Sequence, residues 1–257
     1  LEISGLTVNA STSGEYSSAI SVDLGSFTMT GGKLIATATG NTTNGIYASQ
    51  GINISDTAEV TASAGNYGLT SSRDINISGG TVEAASTEGR AGIRTGDGVL
   101  NISGGSVTAK SAGGELAIDA LGGVTVGSAT LITGENGNGG GIRENLTVNH
   151  TDADVTVNGH ILRTYNPGTE GNLTVSAGTA EITGDVSGNV TVSGGAVTVG
   201  GTVNGLTNHT GGTLNGKTPP THQITFTAEQ TGGVSGTTDS TGIVLTFSQE
   251  VTGLTKS

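Results

Sequence analysis

The segment Ile75–Ala84 reads INISGGTVEA and Leu100–Ala109 reads LNISGGSVTA, one unit further along the chain. A near-copy at such a distance constrains the fold more than any other feature, because it is the mark of stacked supersecondary units. Aligned on the last apolar residue of each first strand, the copies anchor at Ile3, Met29, Ile54, Ile77, Ile102, Val126, Val148, Val175, Val192 and, degenerately, His209. The anchors lie 22 to 27 residues apart until Val175, then 17 and 17.

The internal grammar is steadier than the period. Each unit opens with a short alternating strand, such as FTM at Phe27, INI at Ile52 and Ile75, LNI at Leu100, VTV at Val124 and Val190, or LTV at Leu146 and Leu173. Its outer two side chains share one face and the middle one takes the other. A Ser/Gly/Thr corner follows, as at Gly79–Gly80 and Gly194–Gly195, where a missing side chain permits positive φ. A second strand comes next (VTA at Val60 and Val107, VEA at Val82, VTV at Val155 and Val197). Longer units add a third element at Gly45–Ile46, Gly68–Leu69, Gly92–Ile93, Ala117–Ile118 and Gly141–Ile142.

One such coil cannot stand alone. It hides about five apolar side chains at roughly 1.5–3 kcal/mol each, against an ordering cost of roughly 1–2 kcal/mol for every residue. Stacking supplies the remainder, because each coil hydrogen-bonds to the coils above and below. The chain is therefore expected to be all-β: a right-handed, single-stranded parallel β-helix of about nine to ten coils, on the order of 45 Å long at about 4.8 Å per coil. The two 17-residue units should be narrower. An antiparallel sandwich, the other architecture considered, would show turn-bounded strands every 8–12 residues without this phase.

The helix is expected over residues 1–218. Beyond NGKTPP the grammar changes, and QITFTAEQ and GIVLTFSQEV are longer strands without an SGG corner. Residues 219–257 thus read as a short non-repeat β segment, either a cap on the helix or the start of a further β module. The first residues, LEISGLTVNA, already follow the strand pattern, which leads us to expect an upstream leader or segment.

This grammar, ISGG[ST]V-x-A followed by Gly-Ile, carried by Ile77–Ala84 with Gly92–Ile93 and by Ile102–Ala109 with Ala117–Ile118, resembles the repetitive right-handed β-helix regions of large surface proteins of Gram-positive bacteria. These include carbohydrate-binding β-helix proteins related in fold to pectate lyases. The tail GIVLTFSQEVTGLT is similar to the opening strands of Ig-like modules that often follow such regions. The resemblance implies a secreted or surface-displayed, adhesin-like module within a larger protein, structural or binding polysaccharide. Calcium-binding carbohydrate members carry an acidic pair just before the Gly-Ile; here the equivalents are Thr43–Asn44, Arg90–Ala91 and Gly139–Gly140, so that site is not carried over.

Composition narrows the partners. The 257 residues carry 9 Lys+Arg against 21 Asp+Glu, a net charge of −12, which repels phosphate backbones and argues against nucleic acid. No apolar run is long enough for a transmembrane helix. Cysteine is absent, which excludes disulfides and thiolate metal sites. Tryptophan is absent as well, with 4 Tyr and 3 Phe, so a neutral-sugar platform built on stacked aromatics is disfavoured, leaving acidic polysaccharide or a host or cell-surface protein as partner.

Two outward columns are candidates for function. The middle positions of the first strands (Thr28, Asn53, Asn76, Asn101, Thr125, Thr147, Thr174, Thr191 and Asn208) form a polar ladder suited to a solvated sheet. An ice-binding array would need equal coils and a doubled Thr column. The second column follows the apolar residue of the third element: Tyr47, Thr70, Arg94, Asp119, Arg143 and, with a shifted frame, Arg163. It reads either as a charge ladder, Arg94–Asp119–Arg143, worth roughly 0–1 kcal/mol per exposed pair, or as a groove whose Arg forks grip the carboxylates of an acidic polysaccharide. The candidate ligand-binding face is therefore Tyr47, Arg94, Asp119, Arg143 and Arg163.

A polysaccharide lyase or hydrolase on that side is the catalytic alternative. It would need a base or a spaced carboxylate pair, whereas Asp97, Asp119 and Glu144 are scattered. His150, His160, His209 and His222 do not cluster in sequence. No cofactor is expected. The stretch TGENGNGGGIREN at Thr133–Asn145 could offer oxygens of Glu135, Asn136 and Asn138 to Ca²⁺, but reads first as a surface loop.

Overall fold

The computed structural model describes residues 1–112, 116–134, 140–162 and 171–216, and further on 226–234, 236–237, 239 and 241–247. The chain divides into two compact units, Leu1–Pro219 and Pro220–Ser257.

The first unit is a parallel β-solenoid. Its first sheet stacks Glu2–Ile3, Ser26–Met29, Gly51–Ile54, the leading halves of Ile75–Ser86 and Leu100–Ser111, then Val124–Val126, Leu146–Val148 and Leu173–Val175, and the leading halves of Val190–Val199 and Thr207–Leu214. The second sheet stacks Leu6–Thr12, Gly32–Ala38, Glu59–Ala64, Thr130–Thr133, Asp154–Val157 and Thr179–Ile182 with the trailing halves of the four long strands. The third is shorter, with 7 strands: Ser18–Val22, Asn44–Ala48, Tyr67–Ser71, Ala91–Thr95, Leu116–Ala120, Gly141–Arg143 and Ile161–Leu162. Beyond it, single bridges join Ile161 to Val186 and Val186 to Val203. Seven coils are thus three-sided, and those that follow keep two full sides. The 17-residue spacing leaves too little chain for a third strand.

The sequence anchors are the inward column. Ile3, Met29, Ile54, Ile77, Ile102, Val126, Val148, Val175, Val192 and His209 fall in register, rung on rung. All but His209, at the end of the stack, are buried. The second sheet adds Val60, Val82, Val107, Leu131, Val155, Ala180 and Val197, and the third Ile46, Leu69, Ile93, Ile118, Ile142 and Ile161. The result is one continuous core along the axis.

The corners are built for close stacking. At Gly80 φ is +78°, and a Cβ there would lie 2.2 Å from the carbonyl oxygen of Ala58 on the neighbouring coil. That oxygen accepts the N–H of Thr81 at 2.8 Å. Where the third side returns to the first, asparagines bind the rungs. Oδ1 of Asn145 accepts the backbone N–H of Asn172, Asn172 that of Asn189, and Asn189 that of Leu206, at 2.7–2.9 Å. The outward column of the first sheet is also linked, since Asn76 Nδ2 donates to Asn53 Oδ1 at 3.1 Å and Asn101 Nδ2 to Asn76 Oδ1 at 3.0 Å. Among the described residues no buried side-chain nitrogen or oxygen lacks a partner, as a dry core requires.

In the second unit, Phe226–Thr231 pairs antiparallel with Gly242–Phe247. These strands overlap the two segments, QITFTAEQ and GIVLTFSQEV, read as strands from the sequence; residues 223–225 and 248–251 of those segments lie outside the described residues.

Candidate functional site

The third sheet places the charged column. In the strand Ala91–Thr95, Gly92 and Ile93 are both buried. A Cβ on Gly92 would come 2.3 Å from the Ala84 carbonyl oxygen and 2.8 Å from Lys110 N on the second side, so the two sides approach to the width of a glycine. Ile93 packs inward between Leu69 and Ile118, and the next residue, Arg94, is forced outward. The same phase sets Tyr47, Thr70, Asp119 and Arg143 on successive rungs.

Arg94, Asp119 and Arg143 meet. Arg143 Nη1 donates to Oδ1 and Oδ2 of Asp119, each at 3.2 Å. Arg94 Nε lies 3.9 Å from Asp119 Oδ2. The Asp119 side chain is only 13% exposed, against 27% for Arg143 and 37% for Arg94, so the carboxylate sits between the two guanidiniums and is partly shielded from water. Arg94 also lies over the ring of Tyr67, 5.3 Å from its centroid, within cation–π range.

Beside this ladder opens a pocket of about 230 Å³, lined by Tyr67, Gly89, Arg90, Ala91, Leu116, Asp119 and Arg143. Leu116 reaches it next to an irregularity, where residues 116–118 stand opposite only Gly141 and Ile142. Such a slip re-aims side chains beside it. Arg90 is exposed at the rim.

The expected face is partly assembled. Arg94, Asp119 and Arg143 come together. Tyr47 shares their column but lies two rungs from Arg94, its hydroxyl 3.5 Å from Ser72 Oγ, and does not line the pocket. Arg163 was expected in this column with a shifted frame. Ile161 points inward opposite Ile142, so Leu162 takes the position after Arg143, and Arg163 itself lies outside the described residues. So do Glu135, Asn136 and Asn138, the loop oxygens considered for Ca²⁺. Among the described residues no three His, Asp or Glu side chains gather as a metal donor set. His150 lies near Asp152 and His160 near Asp185, on the surface and apart from the pocket.

Tyr67 and Leu116 were missed from the sequence. Tyr67 stands just before the Gly68–Leu69 pair and Leu116 just before Ala117–Ile118, the position that Asn44 and Ala91 take on neighbouring rungs. That recurrent offset was the available signal. No protein-family model, curated protein or solved structure matches this chain.

Proposed function

We propose that this chain is a non-catalytic, secreted or surface-displayed binding module of an adhesin-like protein, in which the solenoid is a rigid support and its third side binds polysaccharide. The observation that carries the reading is the concentration of positive charge. Three of the five arginines, Arg90, Arg94 and Arg143, gather around one pocket of a chain with net charge −12. Among the described residues Asp119 is the one carboxylate lining that pocket, and Arg90, Arg94 and Arg143 against Asp119 leave +2 from these four side chains. An acidic polymer repelled by the rest of the surface is drawn to such a spot.

The arrangement favours binding over chemistry. Both oxygens of Asp119 are engaged by Arg143, and among the described residues no second carboxylate lines the pocket to form the pair that glycoside hydrolysis uses. The test is a binding panel of acidic and neutral polysaccharides, with calcium and with chelator, followed by assay of the bound polymer for new chain ends. Binding to uronic-acid polymers without cleavage supports the reading. Cleavage, or binding to none of them, refutes it.

A further inference from the structure

We infer that the pocket between Tyr67, Arg90, Leu116 and Arg143 receives a single hexuronate residue of an acidic polysaccharide, its carboxylate held by Arg143 and Arg90. The inference rests on the polysaccharide-binding reading and names the sugar residue and the side chains that hold it.

The structure already contains a carboxylate bound in the required way. Asp119 presents both oxygens to Arg143 at equal distances of 3.2 Å, so the guanidinium is oriented before any ligand arrives. Only Nη1 is used in this contact. A guanidinium carries five N–H donors in a rigid fork, and Arg143 has no other partner among the described residues, which leaves donors for a second planar anion. Arg94 cannot serve equally, being held between Asp119 and the Tyr67 ring. Among the described residues the contacts of Arg90 are made by its backbone, N–H to Ser86 Oγ and carbonyl from Ser111 Oγ, and its side chain is exposed at the rim.

Size and surface select the remainder of the ligand. About 230 Å³ is the space of on the order of eight waters, which suits one ring-sized group. Tyr67, Leu116 and Ala91 supply apolar wall for the C–H face of a sugar. The negative charge elsewhere on the chain disfavours a polyanion lying along the whole rod, so contact is confined to one or two sugar residues.

The probe is a galacturonate trimer, titrated calorimetrically at low and physiological salt beside its methyl ester, which keeps the rings and removes the charge. The intact chain should bind the acid at least tenfold more tightly than the ester. Arg143→Gln should lose at least tenfold, and Arg90→Gln severalfold while melting with the wild-type protein, since among the described residues that side chain makes no other contact. Equal binding of acid and ester, or unchanged affinity in both variants, overturns the site while polysaccharide binding itself stands. Failure of the wild-type chain to bind any polysaccharide of the panel removes both. Tighter binding of a short peptide carboxylate, lost in the same variants, overturns the sugar assignment.

Discussion

Replacing Gly80 by alanine measures how closely two coils approach. The substitution has two effects. An L-residue at φ +78° stands in the left-handed region, at a cost of about 1–2 kcal/mol. The new Cβ would also lie 2.2 Å from the Ala58 carbonyl oxygen, so that oxygen must move. It is the acceptor for Thr81 N–H, and displacing it weakens a bond worth about 0.5–1.5 kcal/mol on top of an overpacking strain of about 1–3 kcal/mol. The expected loss is about 3–6 kcal/mol. Gly5 supplies the control, with φ +67° and no atom within 4 Å of a built Cβ. Gly5→Ala should lose no more than the dihedral cost of about 1–2 kcal/mol. Urea unfolding followed by far-ultraviolet circular dichroism compares the two, valid where the slope against urea is unchanged. Losses within about 1 kcal/mol of each other would refute the claim that close approach of the coils, as well as the turn conformation, requires glycine at position 80.

Two further substitutions test the stack. Asn76→Ala removes both links of the amide ladder, to Asn53 and from Asn101, and should destabilise by about 1–3 kcal/mol. Asn76→Thr, using the residue found on other rungs, should recover part of the loss; equal stability of all three forms in thermal melts would show the ladder to be inert. Ile93→Ala empties a fully buried position between Leu69 and Ile118 and should lose about 2–5 kcal/mol. Amide exchange should accelerate first on the rungs adjoining Ala91–Thr95, and uniform acceleration over the whole solenoid would contradict nearest-neighbour stability.

Much of the architecture was legible because a β-coil writes its inner face with period two and its corners with glycine. Ile77 and Ile102 announce the same inward slot, and Gly92–Ile93 announces the phase that turns Arg94 outward. The column Arg94–Asp119–Arg143 followed from that phase alone. Legibility failed where the phase lost its marker. His160, rather than a glycine or alanine, precedes Ile161; Leu162 stands after it opposite Arg143, and Arg163 lies outside the described residues. Tyr67 was hidden for another reason: residues 68–71 are all buried, so alternation does not reveal which flank of the strand faces out. The position of Asn53, Asn76 and Asn101 was readable, whereas their amide bonds depend on side-chain torsions that no spacing encodes. The third side's early end was foreshadowed by the 17-residue units, yet its reduction to bridges at Val186 and Val203 required the three-dimensional register.

The pairing of Ile75, Asn76 and Ile77 with Leu100, Asn101 and Ile102 has a consequence for how the gene can change. Because the two coils are interchangeable in register, an in-frame duplication or deletion of the 25 residues separating Asn76 from Asn101 begins and ends at equivalent points of the ladder. Such an event would lengthen or shorten the rod by one step of about 4.8 Å and leave each remaining coil with neighbours of the same shape. Unequal recombination between the near-identical segments is therefore a route by which the reach of this protein can vary between lineages while its sidewall is preserved.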